Sequence, residues 1–525
     1  MPRVLIADEM SPLALETFTR RGIEAHERPG LSKDELKSII GDYDGLAVRS
    51  ATKATADVIA AAPNLKVIGR AGIGVDNVDI PAASAAGIVV MNTPFGNSIT
   101  TAEHAIALMF ALARDLPQAD LSTQAGKWEK NRFMGVELYA KTLALIGCGN
   151  IGGIVAERAL ALKMKVIAYD PFLTPERATE IGVEKVELPE LLARADFITL
   201  HTPLTESTKN ILSAAALAQT KPGVRIINCA RGGLIDEAAL KLGLESGHIG
   251  GAALDVFAVE PAKANPLFGT RNLICTPHLG ASTEEAQVNV ALQVAEQMAD
   301  FLLTGAVANA LNTPSVSAED APRLRPYMAL AEKLGLLLGQ LTPTGLTAIQ
   351  IEAEGAAAEL NLKPLVAAAL AGLMRPHSDT VNMVNAPFLA KERDIAVAET
   401  RNSREGDYHT LLRLTAQTPA GERSVAGTLF ADREPRLVEL FGVKVEAALT
   451  GRMLFIVNED KPGFIGRLGQ TLGDAGVNIG TFHLGRRAAG SEAILLLSVD
   501  QPLSEPLLWT ICRLPGVKEA RALRF

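Results

Sequence analysis

Gly147–Gly153 reads GCGNIGG and lies between an apolar run, TLALI, and a second run that ends in KVIAYD. A tight turn alone would explain a glycine-rich loop, so its surroundings decide the reading. A short apolar strand enters this loop, a helical pattern leaves it, and Gly147, Gly149 and Gly152 occupy the three positions of GxGxxG. Asp170 closes the second strand, eighteen residues past Gly152. Each residue has a task in holding a dinucleotide. Gly147 permits the tight turn, Gly149 lets the backbone approach a pyrophosphate, and Gly152 lets the helix pack on the sheet. The unpaired N–H groups of the first helical turn then face the phosphates. Asp170 is suited to accept from the adenosine ribose hydroxyls and to repel a 2′-phosphate, which favours NAD over NADP.

Working outward, TLALIG, KVIAYD, DFITLHT, VRIINCA, GAALDVF and NLICTPH alternate with helical patterns, the rhythm of a doubly wound parallel sheet. The same rhythm in RVLIAD, GLAVRS, LKVIGRAG and IVVMNTP predicts a first α/β domain over residues 1–97. A helical pattern from about Ser98 to Leu116 joins the two, with Asn97 or Ser98 as N-cap and Pro117 just beyond its end. The polar stretch at 312–320, within LNTPSVSAED, reads as a linker. Ala-rich helices and then alternating runs make 318–450 an α+β domain. The chain from Met453 shows strand, helix, two strands, helix and strand, a βαββαβ unit.

Length and composition bound the answer. With 525 residues the chain is too long for one core and requires several domains. Hydrophobic residues at 48% and charged residues at 21% are ordinary for a globular protein, and a net charge of −8 offers nucleic acid or acidic lipid no basic surface. No run approaches the roughly 18 continuous apolar residues of a membrane span. The start, MPRVLIADEM, reads as a short strand and not as a signal peptide, so the cytoplasm is the expected location. Cys148, Cys229, Cys275 and Cys512 form no CxxC pair, so neither a metal site nor a disulfide framework is expected.

Three polar clusters, NCARGGLID, DVFAVEP and TPHLGAST, follow strand runs at the carboxyl side, where ligands of open α/β sheets bind. They offer Arg231, Glu260 and His278. Removing a hydride from a secondary alcohol leaves a developing carbonyl, so the hydroxyl proton needs a base that titrates near the working pH. His278 suits that role. A carboxylate such as Glu260 would fix the imidazole tautomer, and the Arg231 guanidinium would hold a substrate carboxylate bidentately. Arg49 and Arg70 end two strands of the first domain at the same sheet end, where two cations could hold a phosphate dianion. Asn97 and the N–H groups of the Ala71–Gly74 loop are placed to take a carboxylate. A surface ion pair, a solvated acid, a helix cap and solubilising charges are the ordinary alternatives for these side chains.

These clusters, with VRSATK, GRAGIGVDNVD and NTPFGNS earlier in the chain, resemble the D-2-hydroxyacid dehydrogenase family over essentially the whole length. The resemblance implies an α/β protein in which a Rossmann-like doubly wound cofactor domain, 98–282, is inserted in a flavodoxin-like substrate domain, 1–97 with 283–312. An intervening α+β domain, 318–450, and a βαββαβ ACT-like domain, 451–525, follow. It implies catalytic roles for Arg231, Glu260 and His278 and NAD contacts at Gly147, Gly149, Asn150, Ile151, Gly152, Asp170, Thr202, Cys229, Ala230, Asp255 and Gly280. Where the family often carries Thr, this chain has Ile73. Substrate contacts are implied at Arg49, Ser50, Arg70, Gly72 and Asn97. The long form resembles the branch that oxidises 3-phospho-D-glycerate on the way to L-serine. Another D-2-hydroxy acid and an NAD-sensing scaffold stay open as alternatives.

The same resemblance implies L-serine as an effector, with Asp460 in NEDKPGFIG and Asn478 in DAGVNIG as its contacts. Helix capping by Asp460 and a turn at Asn478 are the local alternatives. It also implies a homodimer through the cofactor domains, or a homotetramer, in which GKWEKNRF lies at a subunit contact with Lys127, Trp128, Lys130 and Arg132.

Overall fold

The computed structural model describes residues 1–316, 319–342, 345–378, 380–403, 406–419 and 421–525. Strands β1 (Arg3–Ile6), β2 (Glu24–Glu27), β3 (Gly45–Val48), β4 (Val67–Arg70) and β5 (Val89–Met91) pair in parallel in the order β2-β1-β3-β4-β5. That is the flavodoxin-like order. The inner strands are apolar on both faces because helices cover both. Leu46, Ile68 and Val90 belong to one layer, and Val4, Val67 and Val89 to the other. The second layer is closed by a distant helix, Glu284–Thr304, which presses Val290, Val294 and Met298 onto the sheet. Its Glu296 and Asp300 pair with Arg21 at 2.5 and 2.6 Å.

Between those two visits to the first sheet the chain builds a second. Strands β6 (Thr142–Ile146), β7 (Lys165–Tyr169), β8 (Glu184–Lys185), β9 (Phe197–Leu200), β10 (Val224–Asn228), β11 (Ile249–Leu254) and β12 (Leu273–Cys275) run in the order β12-β11-β10-β9-β6-β7-β8. The strand order reverses between β6 and β9, so a crevice opens at the carboxyl ends of those two strands. The six expected strands are present, and the two-residue β8 adds an edge. The joining helix, Ser98–Arg114, buries Ala102, Ala105, Leu108, Met109 and Leu112 against this second sheet.

That helix stops earlier than the sequence suggested. Asp115 takes a left-handed backbone, φ +51°, and Pro117 lies in the first turn of a new helix, Leu116–Gln124. A proline there costs nothing, because the first turn has no use for its missing N–H. Asn97 occupies the N-cap position without a side-chain capping bond.

The third sheet holds β13 (Ala348–Gly355), β14 (Ala396–Asn402), β15 (Thr410–Thr418), β16 (Gly421–Phe430), β17 (Glu434–Leu440) and β18 (Val443–Ala447), in the order β14-β13-β15-β16-β17-β18. β13 precedes the span expected to hold strands, between helices Ala321–Leu341 and Leu362–Met374. Those two helices cross at glycines: a Cβ at Gly335, Gly339 or Gly372 would run into the backbone of the other helix. The expected linker is fastened along much of its length. Val316 and Val307 exchange both backbone hydrogen bonds, at 2.6 and 2.9 Å, and Asn312 Oδ1 accepts from the Val90 N–H at 2.9 Å. Residues 317 and 318, where that linker was expected to give way to the next domain, lie outside the described residues.

The last sheet, β19 (Arg452–Glu459), β20 (Ile479–Arg486), β21 (Glu492–Val499) and β22 (Val517–Arg524), is antiparallel in the order β20-β21-β19-β22. Helices Phe464–Asp474 and Glu505–Cys512 cover one face. Met453, Phe455, Ile494, Leu496 and Leu523 on the other face join the core of the third sheet. Among the described residues no helix is long and apolar enough to cross a membrane. We expect Gly339→Val to cost about 1–3 kcal/mol, the usual scale of overpacking. Hydrogen exchange should quicken in 321–341 and 362–374 and stay unchanged in 142–275, whereas unchanged exchange in both would refute the close crossing.

Candidate active site

The GCGNIGG loop lies at the reversal point of the second sheet. Gly147 has φ +94°, and a Cβ there would meet the His201 carbonyl. One at Gly152 would run into the Gly147 carbonyl. A Cβ at Gly149, by contrast, has no atom of the chain within 4 Å. Gly147 and Gly152 are therefore demanded by the fold, whereas Gly149 keeps open a space that the chain does not fill. Asn150 and Ile151 begin the helix Asn150–Ala161, whose first N–H groups lack intrahelical partners. Asp170, after β7, is tied to the same loop: its carboxylate accepts the N–H groups of Cys148 and Phe172, each at 2.8 Å. His201 and Thr202 follow β9 on the opposite side of the crevice. The His201 Nδ1 is enclosed without a partner among the described residues, and burial pushes the imidazole down to about 4.

Arg231 follows β10 on a turn held by Asn228, whose Nδ2 donates to the Arg231 carbonyl at 2.9 Å. Asn228 Oδ1 accepts from the Ala230 N–H at 3.0 Å. The guanidinium then leaves its own domain. Its Nε donates to Asp76 Oδ2 at 2.8 Å, and a Cβ on Gly74 would collide with it. Arg231 thus spans the cleft and rests on the loop after β4.

In the first domain a Cβ at Gly72 would collide with the Arg70 side chain, and the Gly72 N–H donates to Thr93 Oγ1 at 2.6 Å. Gly72 therefore makes room for Arg70, and its N–H is not free for a substrate carboxylate as the sequence suggested. Burial pulls the Arg70 guanidinium down to about 10, and the positive charges of Arg231 and Arg49 add to that effect. Its Nε is enclosed without a partner among the described residues, as is Asn97 Oδ1. The backbone N–H of Arg49 donates to Asp8 at 2.6 Å and its guanidinium to the Glu9 carbonyl at 3.0 Å, while Ser50 is exposed.

His278 and Glu260 meet after β12 and β11. His278 Nδ1 lies 2.7 Å from Glu260 Oε2, and Glu260 Oε1 accepts from the Phe257 N–H at 3.0 Å. A carboxylate only accepts, so Nδ1 carries the proton and Nε2 is left basic. His278 itself has φ +56°. Asp255, given as a cofactor contact by resemblance, is fully buried and is supplied by its own chain. Its oxygens accept from Thr276 Oγ1 at 2.6 Å, Leu279 N at 2.7 Å and Gly280 N at 2.8 Å. Burial opposes its ionisation, yet these bonds, with one from His104, outweigh that and hold the carboxyl below its usual range. His104, Cys229 and Asp255 lie close enough for a cation. Burial and the Asp255 charge push the Cys229 thiol up, and Asp255 and His104 are already joined to each other and to Thr276 by hydrogen bonds.

Asp460 and Asn478 have separate partners. Asp460 pairs with Arg486 and accepts from the Gly490 N–H at 3.2 Å, and it does not cap the following helix, whose N-cap is Gly463. Asn478 donates to Asp500 at 2.6 Å. Asp76, Asp8, Thr93, Thr101 and His104 take part in the first two domains' site but were not singled out from sequence. Asp76 and Thr93 had a signal, their places in GRAGIGVDNVD and NTPFGNS.

Residues 106–280 match the NAD-binding domain of the D-isomer specific 2-hydroxyacid dehydrogenases, and residues 323–441 match the D-3-phosphoglycerate dehydrogenase intervening domain. A D-3-phosphoglycerate dehydrogenase of Synechocystis is 45% identical, over 100% of this chain and 95% of its own. One of Methanocaldococcus jannaschii is 42% identical over the full length of both. Among solved structures, the TT0316 protein of Thermus thermophilus covers 59% of this chain and 99% of its own, at 34% identity and a TM-score of 0.55. The D-lactate dehydrogenase of Aquifex aeolicus, complexed with NAD and lactic acid, covers 60% of this chain and 100% of its own, at 25% identity and a TM-score of 0.54.

The open space at Gly149 generates a test. We expect Gly149→Ala to fold with an unchanged melting temperature and to lower NADH affinity about tenfold or more, since the added methyl meets only a bound dinucleotide. Unchanged affinity, measured by NADH fluorescence, would remove the pyrophosphate from this loop.

Proposed function

The chain belongs to the D-3-phosphoglycerate dehydrogenase family, and on that premise we propose that it oxidises 3-phospho-D-glycerate to 3-phosphohydroxypyruvate with NAD⁺. This reaction supplies L-serine synthesis. The observation that carries the choice of substrate is the approach of the Arg70 side chain to Gly72 and of the Arg231 side chain to Gly74 on one loop, with Arg49 following the strand beside it. A doubly charged phosphate and a carboxylate would together compensate these charges.

Bound NAD⁺ supplies the hydride acceptor. The Gly147–Gly152 turn and the first N–H groups of the following helix, at Asn150 and Ile151, would hold its pyrophosphate, and Asp170 would hold the adenosine ribose. Thr202, Cys229, Ala230 and Gly280 line the rest of its path. Arg231 grips the substrate carboxylate while Arg49 and Arg70 take the phosphate, and Asn97 adds an amide. His278 Nε2 accepts the C2 hydroxyl proton as the hydride departs. Glu260 fixes the imidazole tautomer and stabilises the imidazolium that forms.

Leu116, Leu121, Trp128, Met134 and Tyr139 are exposed apolar side chains on one segment of the cofactor domain, with Trp128 at 87% exposure. We infer that they are covered in a homodimer, which pairs further into a tetramer. The four free cysteines suit the cytoplasm. L-serine is proposed to bind the last domain near Asp460 and Asn478 and to favour a less active arrangement.

Three results check this reading. His278→Gln should bind NADH normally and lower kcat about a hundredfold or more, the scale of a lost proton acceptor. A near-normal kcat would exclude His278. Arg70→Ala should raise KM for 3-phospho-D-glycerate far more than KM for NAD⁺, with a smaller effect on unphosphorylated hydroxy acids. An equal loss on both substrates would favour another D-2-hydroxy acid. Millimolar L-serine should slow the intact enzyme, and neither inhibition nor binding would reject the effector.

A further inference from the structure

The chain crosses between its first two domains twice, once ahead of the helix that starts at Ser98 and once ahead of the helix that starts at Glu284. The two crossings are bonded to each other. Thr101 Oγ1 donates to the Gly280 carbonyl at 2.8 Å as well as to the Asn97 carbonyl at 3.0 Å, and it can send its single proton to only one at a time. Thr100 and Thr283 bring their hydroxyls to 3.4 Å. One turn further along the same helix, His104 Nε2 lies 3.3 Å from both Thr276 Oγ1 and Asp255 Oδ1. A carboxylate cannot donate, so Nε2 carries the proton and gives it to this pair.

Asp255 and Thr276 in turn hold the His278 turn from below. The His278 N–H donates to the Asp255 and Thr276 carbonyls at 2.9 and 3.0 Å. The next two N–H groups, of Leu279 and Gly280, end on the Asp255 carboxylate. His278 keeps a left-handed backbone that a non-glycine residue adopts only when its surroundings impose it. Those surroundings are the Asp255 bonds and, behind them, Thr101 and His104.

We propose that Thr101 and His104 are positioning residues that make the interdomain helix a support of the proton-acceptor loop, so that the helix joining the domains also sets the reach of His278. The proposal rests on the dehydrogenase reading for its kinetic consequence and on the hydrogen bonds alone for its structural one. Both act through the Asp255–Thr276 pair and the Gly280 carbonyl, without touching substrate or cofactor.

The test compares His104→Leu, His104→Gln and Thr101→Val with the parent chain. In His104→Leu we expect kcat to fall about tenfold to hundredfold, the scale of a small misplacement of a reacting group. The primary deuterium isotope effect with C2-deuterated 3-phospho-D-glycerate should rise, because proton and hydride removal become slower than product release. NADH affinity should stay within about twofold of the parent. His104→Gln, whose amide can donate to the same two oxygens, should recover most of the rate. Unchanged kcat in His104→Leu, or a rate lost in step with NADH affinity and melting temperature at an unchanged isotope effect, would overturn the proposal. Should His104→Leu fail to fold, Thr101→Val removes one hydroxyl at nearly constant shape and carries the same readouts. Amide exchange at Leu279 and Gly280 decides the case without activity. It should quicken in the variants, and unchanged exchange would overturn the linkage even if the parent chain oxidised no hydroxy acid.

Discussion

Two guanidinium groups lie against one loop of the first domain, and a third stands on the neighbouring strand end. Arg70 ends β4, Arg231 arrives from the other domain, and Arg49 follows β3, the strand paired with β4. Burial first, and then the like charges of Arg231 and Arg49, pull the Arg70 guanidinium down. The chain counters this only in part. Asp76 receives Arg231, and Asp8 sits near enough to favour the charge on Arg70, although its oxygens accept from Arg49 N and Thr52. Arg70 Nε keeps no hydrogen-bond partner among the described residues.

Glycine makes the convergence sterically feasible. Gly72 leaves room for Arg70 and Gly74 leaves room for Arg231, so the loop after β4 is the bed on which two cations lie. Arg231 in this position fastens the cofactor domain to the substrate domain across the cleft. His278 stands after β12, on a turn whose N–H groups are gathered by one buried carboxylate. The inserted topology serves this arrangement: the ends of two parallel sheets face each other only because the chain leaves the first sheet and returns to it by adjacent crossings.

The second sheet and its loop were legible because their signals are local. GxGxxG works through backbone clearance at Gly147 and Gly152, and β-α alternation works through period, so both survive being read one window at a time. Arg231, Glu260 and His278 could be named because strand ends at the carboxyl side of a parallel sheet mark a ligand crevice. What meets Arg231 could not be named. Asp76 is 155 residues away, and no periodicity pairs a charge in one domain with a charge in another. The stretch at 312–316 read as a linker because its residues are polar, yet Asn312 and Val316 use side-chain and backbone hydrogen bonds to close the first domain. Pro117 read as a helix end because proline breaks helices, and it equally begins one. His104 gave no signal at all, since a histidine on an apolar helical face is usually an ordinary core residue.

The role proposed for Arg49, Arg70 and Arg231 is to hold a phosphorylated hydroxy acid. Titration calorimetry of the NADH-bound chain with 3-phospho-D-glycerate and with D-glycerate tests it directly. Two charge-assisted contacts at about 1.5–3 kcal/mol each place the phosphorylated ligand about a hundredfold to ten-thousandfold ahead. Equal affinities, or tighter binding of D-glycerate, would contradict that role.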